Sequence, residues 1–200
     1  MRWIALKEKC FHDWVAPIAL RPHGLVPDSP GAIDVPASQN AAPMRLLIQR
    51  VSRASVTVDG RVTGSIDTGL LVLLGVRHGD DEEDARYLAA RTLRLRVFND
   101  ADSKMNLSVE DIGGSILVVS QFTLHADTRK GNRPSYGHAA EPALAERLYE
   151  LYISELRAFL GEHRVGTGVF AAMMDVELVN AGPVTVMLKS RREYGEHGED

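Results

Sequence analysis

The run from Gly69 to Gly75, GLLVLLG, is the segment that most constrains the fold, because it is apolar at nearly every position. A strand with one face in water alternates apolar and polar residues, whereas a strand buried on both faces does not. We therefore predict a central strand here. The segment 115–122, SILVVSQF, is predicted as a second central strand.

The rest of residues 44–188 is typical of further strands and two helices. Strands are predicted at 44–51, 54–59, 61–66, 170–179 and 184–188, with a hairpin turn at Asp59-Gly60. Acidic residues at 80–84 open one helix, and Glu141-Pro142 opens the other. Their predicted core faces carry Leu88, Thr92, Leu95 and Phe98, and then Leu144, Leu148, Leu151, Tyr152, Leu156 and Phe159. Together these elements predict one α+β domain with a mixed, mostly antiparallel sheet.

Both ends of the chain differ from this regular part. Residues 1–43 contain six of the nine prolines, both tryptophans and the only cysteine, Cys10. No helix or strand period runs through residues 24–43, so we predict a flexible extension at 1–43. A mis-assigned start, with Met44 as the true first residue, is an alternative interpretation. Residues 189–200 are predicted to be a polar tail.

Composition excludes several classes of protein. One cysteine permits no intrachain disulfide and no four-cysteine zinc site. No apolar run reaches the ~18–20 residues of a membrane-spanning helix. The net charge of −4 provides no general attraction to nucleic acid, although a local basic patch can suffice. The single cysteine fits the reducing cytoplasm, where we expect this protein. Because dinucleotide, phosphate-loop and metalloprotease motifs are absent from the sequence, we expect no metal and no cofactor.

A group of polar residues follows the second central strand, in the segment SQFTLHAD at 120–127. If the strand continued, Gln121, Thr123, His125 and Asp127 would share one face. A Thr-His-Asp triad is one hypothesis for this row. Residues two apart on a strand lie about 6.5–7 Å apart, however, which is too far for hydrogen bonds unless the backbone bends. A strand end that meets solvent is the alternative.

Two other groups are candidates for binding. Arg129, Lys130 and Arg133 form a dense basic cluster in a glycine-containing loop beside that segment. The cluster is either a solvated loop or a contact for a phosphate backbone. Phe170 and Met174 place an aromatic ring and a thioether close together, either as core or as an apolar wall for a nucleobase.

Gly182-Pro183 interrupts a segment that otherwise favours strand, LVNAGPVTVML. Proline removes a hydrogen bond from the ladder, and glycine removes a packing side chain. A turn between two strands is one explanation. The other is a rigid main-chain element at a site, because glycine lets a ligand approach closely and an X-Pro bond can be cis at modest cost.

Residues 44–188 resemble the D-aminoacyl-tRNA deacylase family, also called D-tyrosyl-tRNA deacylases. SQFTL at 120–124 and NAGPVT at 180–185 match two family signatures, Ser-Gln-x-Thr and Asn-x-Gly-Pro-Val-Thr. The segments MRLLIQRVSRASVTVDG, GLLVLLGV, KMNLSV and FAAMMDVELVN are similar to the family in the same order. Two signatures at the right separation, with matching flanks, are far more specific than either one alone.

The resemblance implies the deacylase fold, a homodimer, and active sites at the dimer interface. It maps the catalytic pocket onto Ser120, Gln121, Phe122 and Thr123, with main-chain donors near the ester carbonyl as an oxyanion hole. It also implies that the hydrolytic water is activated by the RNA's own 2′-hydroxyl. The implied partner is the acceptor end of aminoacyl-tRNA, with no role for a membrane or DNA.

The resemblance further implies how the substrate's handedness is read. Gly182 and Pro183, joined by a cis bond, would enter the other subunit's pocket, hold the amino group of a D-amino acid and collide with an L side chain. Phe170, Met174 and Asn180 would bind the terminal adenosine. Glycine mischarged on alanine tRNA is expected as a secondary substrate.

His125 stands where the family often has a small residue, so it is expected to affect substrate preference or pH response if it lies near the pocket. A non-catalytic tRNA-binding module is one alternative function. A deacylase with relaxed chirality and a trans Gly182-Pro183 bond is another.

Overall fold

The computed structural model describes residues 43–190, so the predicted extension and tail lie outside the described residues except at their inner ends. Within this range the predicted α+β class is confirmed, with two helices and a mixed sheet. In chain order the strands and helices are β1 Arg45–Val58, β2 Arg61–Ile66, β3 Gly69–Gly75, α1 Glu82–Leu93, β4 Phe98–Asn99, β5 Met105–Leu107, β6 Ser115–Ser120, α2 Pro142–Leu160, β7 Val165–Thr167 and β8 Asp175–Lys189. Short 3-10 turns occupy Phe122–His125 and Glu162–Arg164.

The main sheet has six strands, with β2-β1-β3-β6-β7 in order and β8 paired with β1. The strand β1 is antiparallel to β2, β3 and β8, whereas β6 runs parallel to both β3 and β7. The sheet curls until β2 approaches β7. A Cβ added to Gly64 of β2 would lie only 2.5 Å from the Thr167 carbonyl oxygen of β7.

The segment predicted as two strands, 44–51 and 54–59, is one continuous strand, β1. Its pairing with β8 shifts register around Val51–Arg53, which marks a bulge. Leu46 and Ile48 pack on the core beneath the helices, whereas Val51, Ala54 and Val56 pack on the opposite face. Strict alternation from Ile48 would place Ala54 on the helix side, so the bulge reverses the phase of the strand.

The central strands are buried on both faces, which confirms the prediction from their apolar runs. Leu70, Val72 and Leu74 of β3 belong to the core beneath the helices, whereas Leu71 belongs to the second core. In β6 the residues divide in the same way, with Ile116 and Val118 on the helix side and Leu117 and Val119 on the other. Two apolar layers therefore cover this sheet, as a non-alternating strand requires.

The helices begin where the sequence predicts. Asp81 caps α1 and forms a reciprocal capping box with Asp84, and Pro142 occupies the first turn of α2. The two helices are joined by a buried hydrogen bond of 2.8 Å between the hydroxyls of Thr92 and Tyr152. Neither helix in residues 43–190 is long and apolar enough to cross a membrane.

Three boundaries differ from prediction. The helix α1 ends at Leu93, so the predicted face residues Leu95 and Phe98 reach the core from outside it. Phe159 is 55% exposed, and Leu160 occupies the buried position instead. The last strand begins at Asp175 and not at Phe170, because Ala171 has a φ of 58° and cannot continue an extended strand.

We expect Leu148→Ala to lower the free energy of unfolding by about 2–5 kcal/mol, because it leaves a cavity in a fully buried site on α2. Phe159→Ala on the exposed face of the same helix is the matched control, with an expected change within about 0.5 kcal/mol. Urea unfolding at one fixed protein concentration measures both. Equal losses would mean that Phe159 is covered in solution.

Candidate active site

The segment SQFTLHAD turns at the end of β6. The Gln121 N–H donates to the Leu74 carbonyl at 2.7 Å, and the chain then enters the 3-10 turn Phe122–His125. Within this turn the Leu124 N–H donates to the Gln121 carbonyl at 3.2 Å. The prediction that Gln121, Thr123, His125 and Asp127 share a strand face is therefore wrong, because the backbone leaves the extended conformation directly after Ser120.

The bend brings Gln121 and Thr123 together. The Gln121 side-chain amide donates a hydrogen bond to the Thr123 hydroxyl, and both side chains are half-buried. His125 instead hydrogen-bonds to the main chain of Gly75, and Asp127 pairs with Arg129. Thr123, His125 and Asp127 thus do not form a nucleophile-base-orienter relay.

The turn rests on β3 at a position where only glycine fits. A Cβ at Gly75 would lie 2.9 Å from the Gln121 carbonyl oxygen and 3.1 Å from the Leu124 Cβ. On the neighbouring strand, Arg45 donates from Nη1 to the Leu124 carbonyl at 3.1 Å. Gly75 and Arg45 are positioning residues that the sequence analysis did not identify.

His125 is buried beneath this turn, with 3% of its surface exposed. Burial is the largest cause that lowers the pKa of its imidazole, and the nearby charges of Arg45, Arg77 and His138 act in the same direction. The hydrogen bond to Gly75 opposes them. Because Nε2 has no hydrogen-bond partner within the described residues, a neutral ring fits this position.

The Gly182-Pro183 segment forms an outward bulge in β8. Asn180 pairs with Val51 and Thr185 pairs with Gln49, so residues 181–184 stand opposite a single residue of β1. Gly182 and Pro183 are exposed, and the peptide bond between them is cis. The bulge interrupts one strand, whereas the sequence analysis predicted two separate strands.

Side chains on either side hold this bulge. The Asn180 side-chain oxygen accepts the Val184 N–H at 2.8 Å, and its amide donates to the Thr185 hydroxyl at 3.1 Å. The polar atoms of Asn180 therefore replace the ladder bonds that the bulge loses.

Arg50 holds the bulge from β1, and the sequence analysis missed it. Its Nε donates to the Ala181 carbonyl at 2.8 Å, and Nη1 donates to the Val97 carbonyl. A Cβ at Gly182, whose φ is +134°, would lie 2.7 Å from Arg50 Nη2. One signal was available in the sequence, because Leu46, Ile48 and Arg50 share a phase, so a charged residue follows two core residues on one strand face.

The other predicted site residues are placed separately. The ring of Phe170 lies 5.6 Å from that of Tyr149 and packs on the core beneath the helices. Met174 packs on the second core, beside Gly168, where a Cβ would lie 2.6 Å from the Met174 sulfur. Arg129, Lys130 and Arg133 are exposed. In residues 43–190, no three His, Cys, Asp or Glu side chains converge as metal ligands would.

The two signature segments lie apart along the sheet of one chain. Ser120 is level with Leu74 and Leu46, whereas the bulge in β8 stands opposite Arg50. From β6 to β8 the sheet passes through β3 and β1. Three inter-strand steps correspond to about 14 Å along the sheet.

The buried His125 predicts a specific pH dependence of stability. The unfolded chain binds a proton at this imidazole near its ordinary pKa of about 6.5, whereas burial lowers the pKa in the folded chain. As the pH falls below about 6.5, the unfolded state binds more protons, so the free energy of unfolding falls. We expect His125→Gln to remove this part of the pH dependence.

The measurement is chemical unfolding of both proteins at several values from about pH 7.5 to 5. His163→Gln, at an exposed histidine, is the matched control for loss of an imidazole. If the two variants changed the pH dependence equally, burial of His125 would not be the cause.

Comparison with known proteins identifies the family. Residues 47–189 match the family model described as D-Tyr-tRNA(Tyr) deacylase. The chain is 57% identical over 151 residues to a D-aminoacyl-tRNA deacylase of Koribacter versatilis and 58% identical over 151 residues to one of Anaeromyxobacter dehalogenans. Both matches cover 76% of this chain and 100% of the relative.

Two solved structures have a similar fold. One is the c-Myc DNA Unwinding Element Binding Protein, with a TM-score of 0.70 and 39% identity over 73% of this chain and 98% of that chain. The other is a probable eukaryotic D-amino acid tRNA deacylase, with a TM-score of 0.63 and 17% identity over 72% of this chain and 98% of that chain. From the match over residues 47–189 and these identities, the chain belongs to the D-Tyr-tRNA(Tyr) deacylase family.

Proposed function

We propose that this protein is a D-aminoacyl-tRNA deacylase that hydrolyses the ester between a D-amino acid and the terminal ribose of tRNA. The observation that carries this proposal is the family match over residues 47–189, together with 57–58% identity to proteins of that name. The enzyme is a hydrolase of a carboxylic ester, and its products are the free amino acid and tRNA. Its reaction belongs in the cytoplasm, where aminoacyl-tRNA is used.

The turn at Ser120, Gln121, Phe122 and Thr123 is the proposed catalytic segment. The main-chain N–H of Thr123 lies at the start of the 3-10 turn, where N–H groups have no partner within a helix. In our proposal, main-chain donors here stabilise the oxyanion that forms at the ester carbonyl. An ester between an amino acid and a ribose is already activated, so positioning and electrostatics supply much of the rate.

We assign activation of the attacking water to the 2′-hydroxyl of the substrate RNA. The arrangement of the protein side chains supports this assignment. The Thr123 hydroxyl accepts from Gln121, the buried imidazole of His125 bonds to Gly75, and the Asp127 carboxylate pairs with Arg129. None of these three groups is arranged as a general base toward another.

Gly182 and Pro183 are the proposed selectors of handedness. They are exposed on a bulge that Arg50 and Asn180 hold by hydrogen bonds, so the main chain there is positioned from both sides. A fixed main chain can exclude the side chain of an L-amino acid by collision. Glycine has no side chain to exclude, so glycyl-tRNA is a proposed secondary substrate.

We propose a homodimer in which each site receives Gly182 and Pro183 from the other subunit. Three observations support it. The proposed catalytic segment and the bulge are separated by three inter-strand steps, about 14 Å across the strands alone, and β8 pairs only with β1 among the described strands. Val179 and Met187 on β8 are 38% and 46% exposed, as an apolar contact surface would be in an isolated subunit.

The terminal adenosine is the proposed ligand of Phe170, Met174 and Asn180. An aromatic ring and a thioether suit stacking with a base. Asn180 also closes the bulge through Val184 and Thr185, so its contribution includes holding that loop.

The test of the function is deacylation of matched D-tyrosyl-, L-tyrosyl- and glycyl-tRNA by the purified protein. We expect release of the D and glycyl esters, with the L ester spared. Release of both the D-tyrosyl and the L-tyrosyl esters would reject the chirality proposal and favour a deacylase with relaxed chirality. No release from any substrate, with tRNA binding retained, would favour a non-catalytic binding module.

Thr123→Ala tests the absence of a side-chain nucleophile. We expect the folded variant to keep D-tyrosyl-tRNA hydrolysis within about tenfold of wild type, because main-chain donors and the RNA hydroxyl remain. Loss of a catalytic nucleophile costs far more, with typical decreases of about 10⁴-fold or greater. Single-turnover rates, with circular dichroism as the check of folding, separate these outcomes.

A further inference from the structure

We propose that the loop from Asp127 to His138 docks the phosphate backbone of RNA, with Lys130 and Arg133 as the contacts and the Asp127-Arg129 pair as a latch. The inference rests on the proposed function, in which tRNA is the substrate. It divides the basic cluster into two roles, because the three cations differ in their bonding.

Main-chain hydrogen bonds close the base of the loop, and the Asp127-Arg129 pair holds the turn beside it. Asp127 and Ser135 exchange both main-chain hydrogen bonds, each of 2.8 Å. The Arg129 guanidinium donates to Asp127 through Nε at 2.9 Å and through Nη2 at 2.6 Å, each to a different carboxylate oxygen. The Arg129 N–H adds a third donor at 2.9 Å. A two-point pair of this kind fixes orientation as well as distance.

The charge of Arg129 is therefore compensated within the loop. Its hydrogen bonds are the largest cause that lowers the pKa of the Asp127 carboxyl, so this group stays ionised throughout the neutral range. His138 lies on the other side, with Nε2 3.7 Å from Asp127 Oδ2. A phosphate at Arg129 would have to compete with the Asp127 carboxylate, which already accepts hydrogen bonds from the guanidinium group.

Lys130 and Arg133 differ from Arg129 in this respect. Both are exposed, and neither forms an ion pair among residues 43–190. Gly131 between them has a φ of +113°, a conformation that glycine adopts readily, and no atom lies within 4 Å of the position of a Cβ there. The tip of the loop thus presents two uncompensated cations with open space around the turn.

Two cations on the helices of the same domain are each compensated by a carboxylate. Arg86 lies 2.9 Å from Glu82, and Arg147 lies 3.7 Å from the same glutamate. For a chain with a net charge of −4, two unpaired cations on the same loop give a polyanion a local site of attraction.

The base of this loop is fixed against the candidate active site. The ring of Tyr136 meets that of Phe122 edge to face, with centroids 5.0 Å apart, and Phe122 precedes Thr123 in the catalytic turn. Beyond the loop, Ala139 forms a bridge with Arg77, and the Ala140 N–H donates to the Val76 carbonyl at 3.1 Å. A phosphate held at the tip would therefore have a defined position relative to the ester.

The partner that fits is the RNA backbone near the acceptor end. In this proposal Lys130 and Arg133 contact phosphates and not bases. Their contribution to RNA affinity is therefore independent of base sequence and decreases with salt. Each phosphate contact contributes about 0.7–0.9 to the slope of log affinity against log salt.

The experiment measures binding of uncharged tRNA to the full chain between about 50 and 200 mM salt. We expect Lys130→Gln and Arg133→Gln each to weaken binding and to lower the salt slope by about one. Arg147→Gln on α2 is the matched control, with an expected slope equal to that of wild type. Unchanged slopes in both loop variants would overturn the proposal.

A second variant tests the latch. Asp127→Asn removes the negative charge that pairs with Arg129 and so loosens the turn, and the proposal expects weaker binding. It also expects Asp127→Asn and Arg129→Gln to be non-additive when combined, because both break one pair. Tighter binding by Asp127→Asn would instead mean that the released Arg129 is itself an RNA contact, and it would overturn the division of roles.

Activity separates this inference from the proposed function. In the loop variants we expect a larger loss of kcat/KM on D-tyrosyl-tRNA than on D-tyrosyl-adenosine ester, which carries no phosphate. Equal losses on both substrates would place the effect in the catalytic turn and overturn the docking role. If wild type deacylates D-tyrosyl-tRNA but the loop variants keep the wild-type salt slope for tRNA binding, only the docking role of the loop is rejected. If the loop variants have lower salt slopes but wild type deacylates no substrate, the enzyme assignment is rejected and the RNA contact is retained.

Discussion

The hydrogen bonding of β1 is the interaction on which the rest of the domain depends. This strand pairs with β3 and β2 along one edge and with β8 along the other. The bulge near Val51–Arg53 reverses its phase, so one strand supplies Leu46 and Ile48 to the core under the helices and Ala54 and Val56 to the core inside the curled sheet. Loss of this bulge would place small and branched apolar residues on the wrong face.

The same strand also carries the residues that position the candidate site. Arg45 reaches the Leu124 carbonyl in the turn after β6, and Arg50 reaches the Ala181 carbonyl of the bulge in β8. Both arginines are bonded to main-chain carbonyls, which is an arrangement that fixes backbone position with long side chains. A site built from positioned main chain suits the proposed chemistry, because an activated ester needs orientation and charge stabilisation more than a strong protein nucleophile.

Local patterns predicted those elements whose burial is determined by their own residues. The apolar runs of β3 and β6, the acidic start of α1 and the Glu141-Pro142 start of α2 all lie where the sequence indicates. The misplaced elements depend on residues distant in the chain. The polar segment after Ser120 turns where Gly75 provides room for it, and Leu160 instead of Phe159 packs in the core beneath the helices. Periodicity along one segment contains no information about either neighbour.

The sequence by itself determined the α+β class, the two-sided burial of the central strands and the two signature segments that resemble the deacylase family. Tertiary structure alone decided that Arg45 holds the turn after β6 and that Arg50 holds the bulge in β8. The physical reason is distance along the chain. Propensity and burial pattern are properties of neighbouring residues, whereas a hydrogen bond from β1 to β8 joins residues 131 positions apart and exists only after the sheet has assembled.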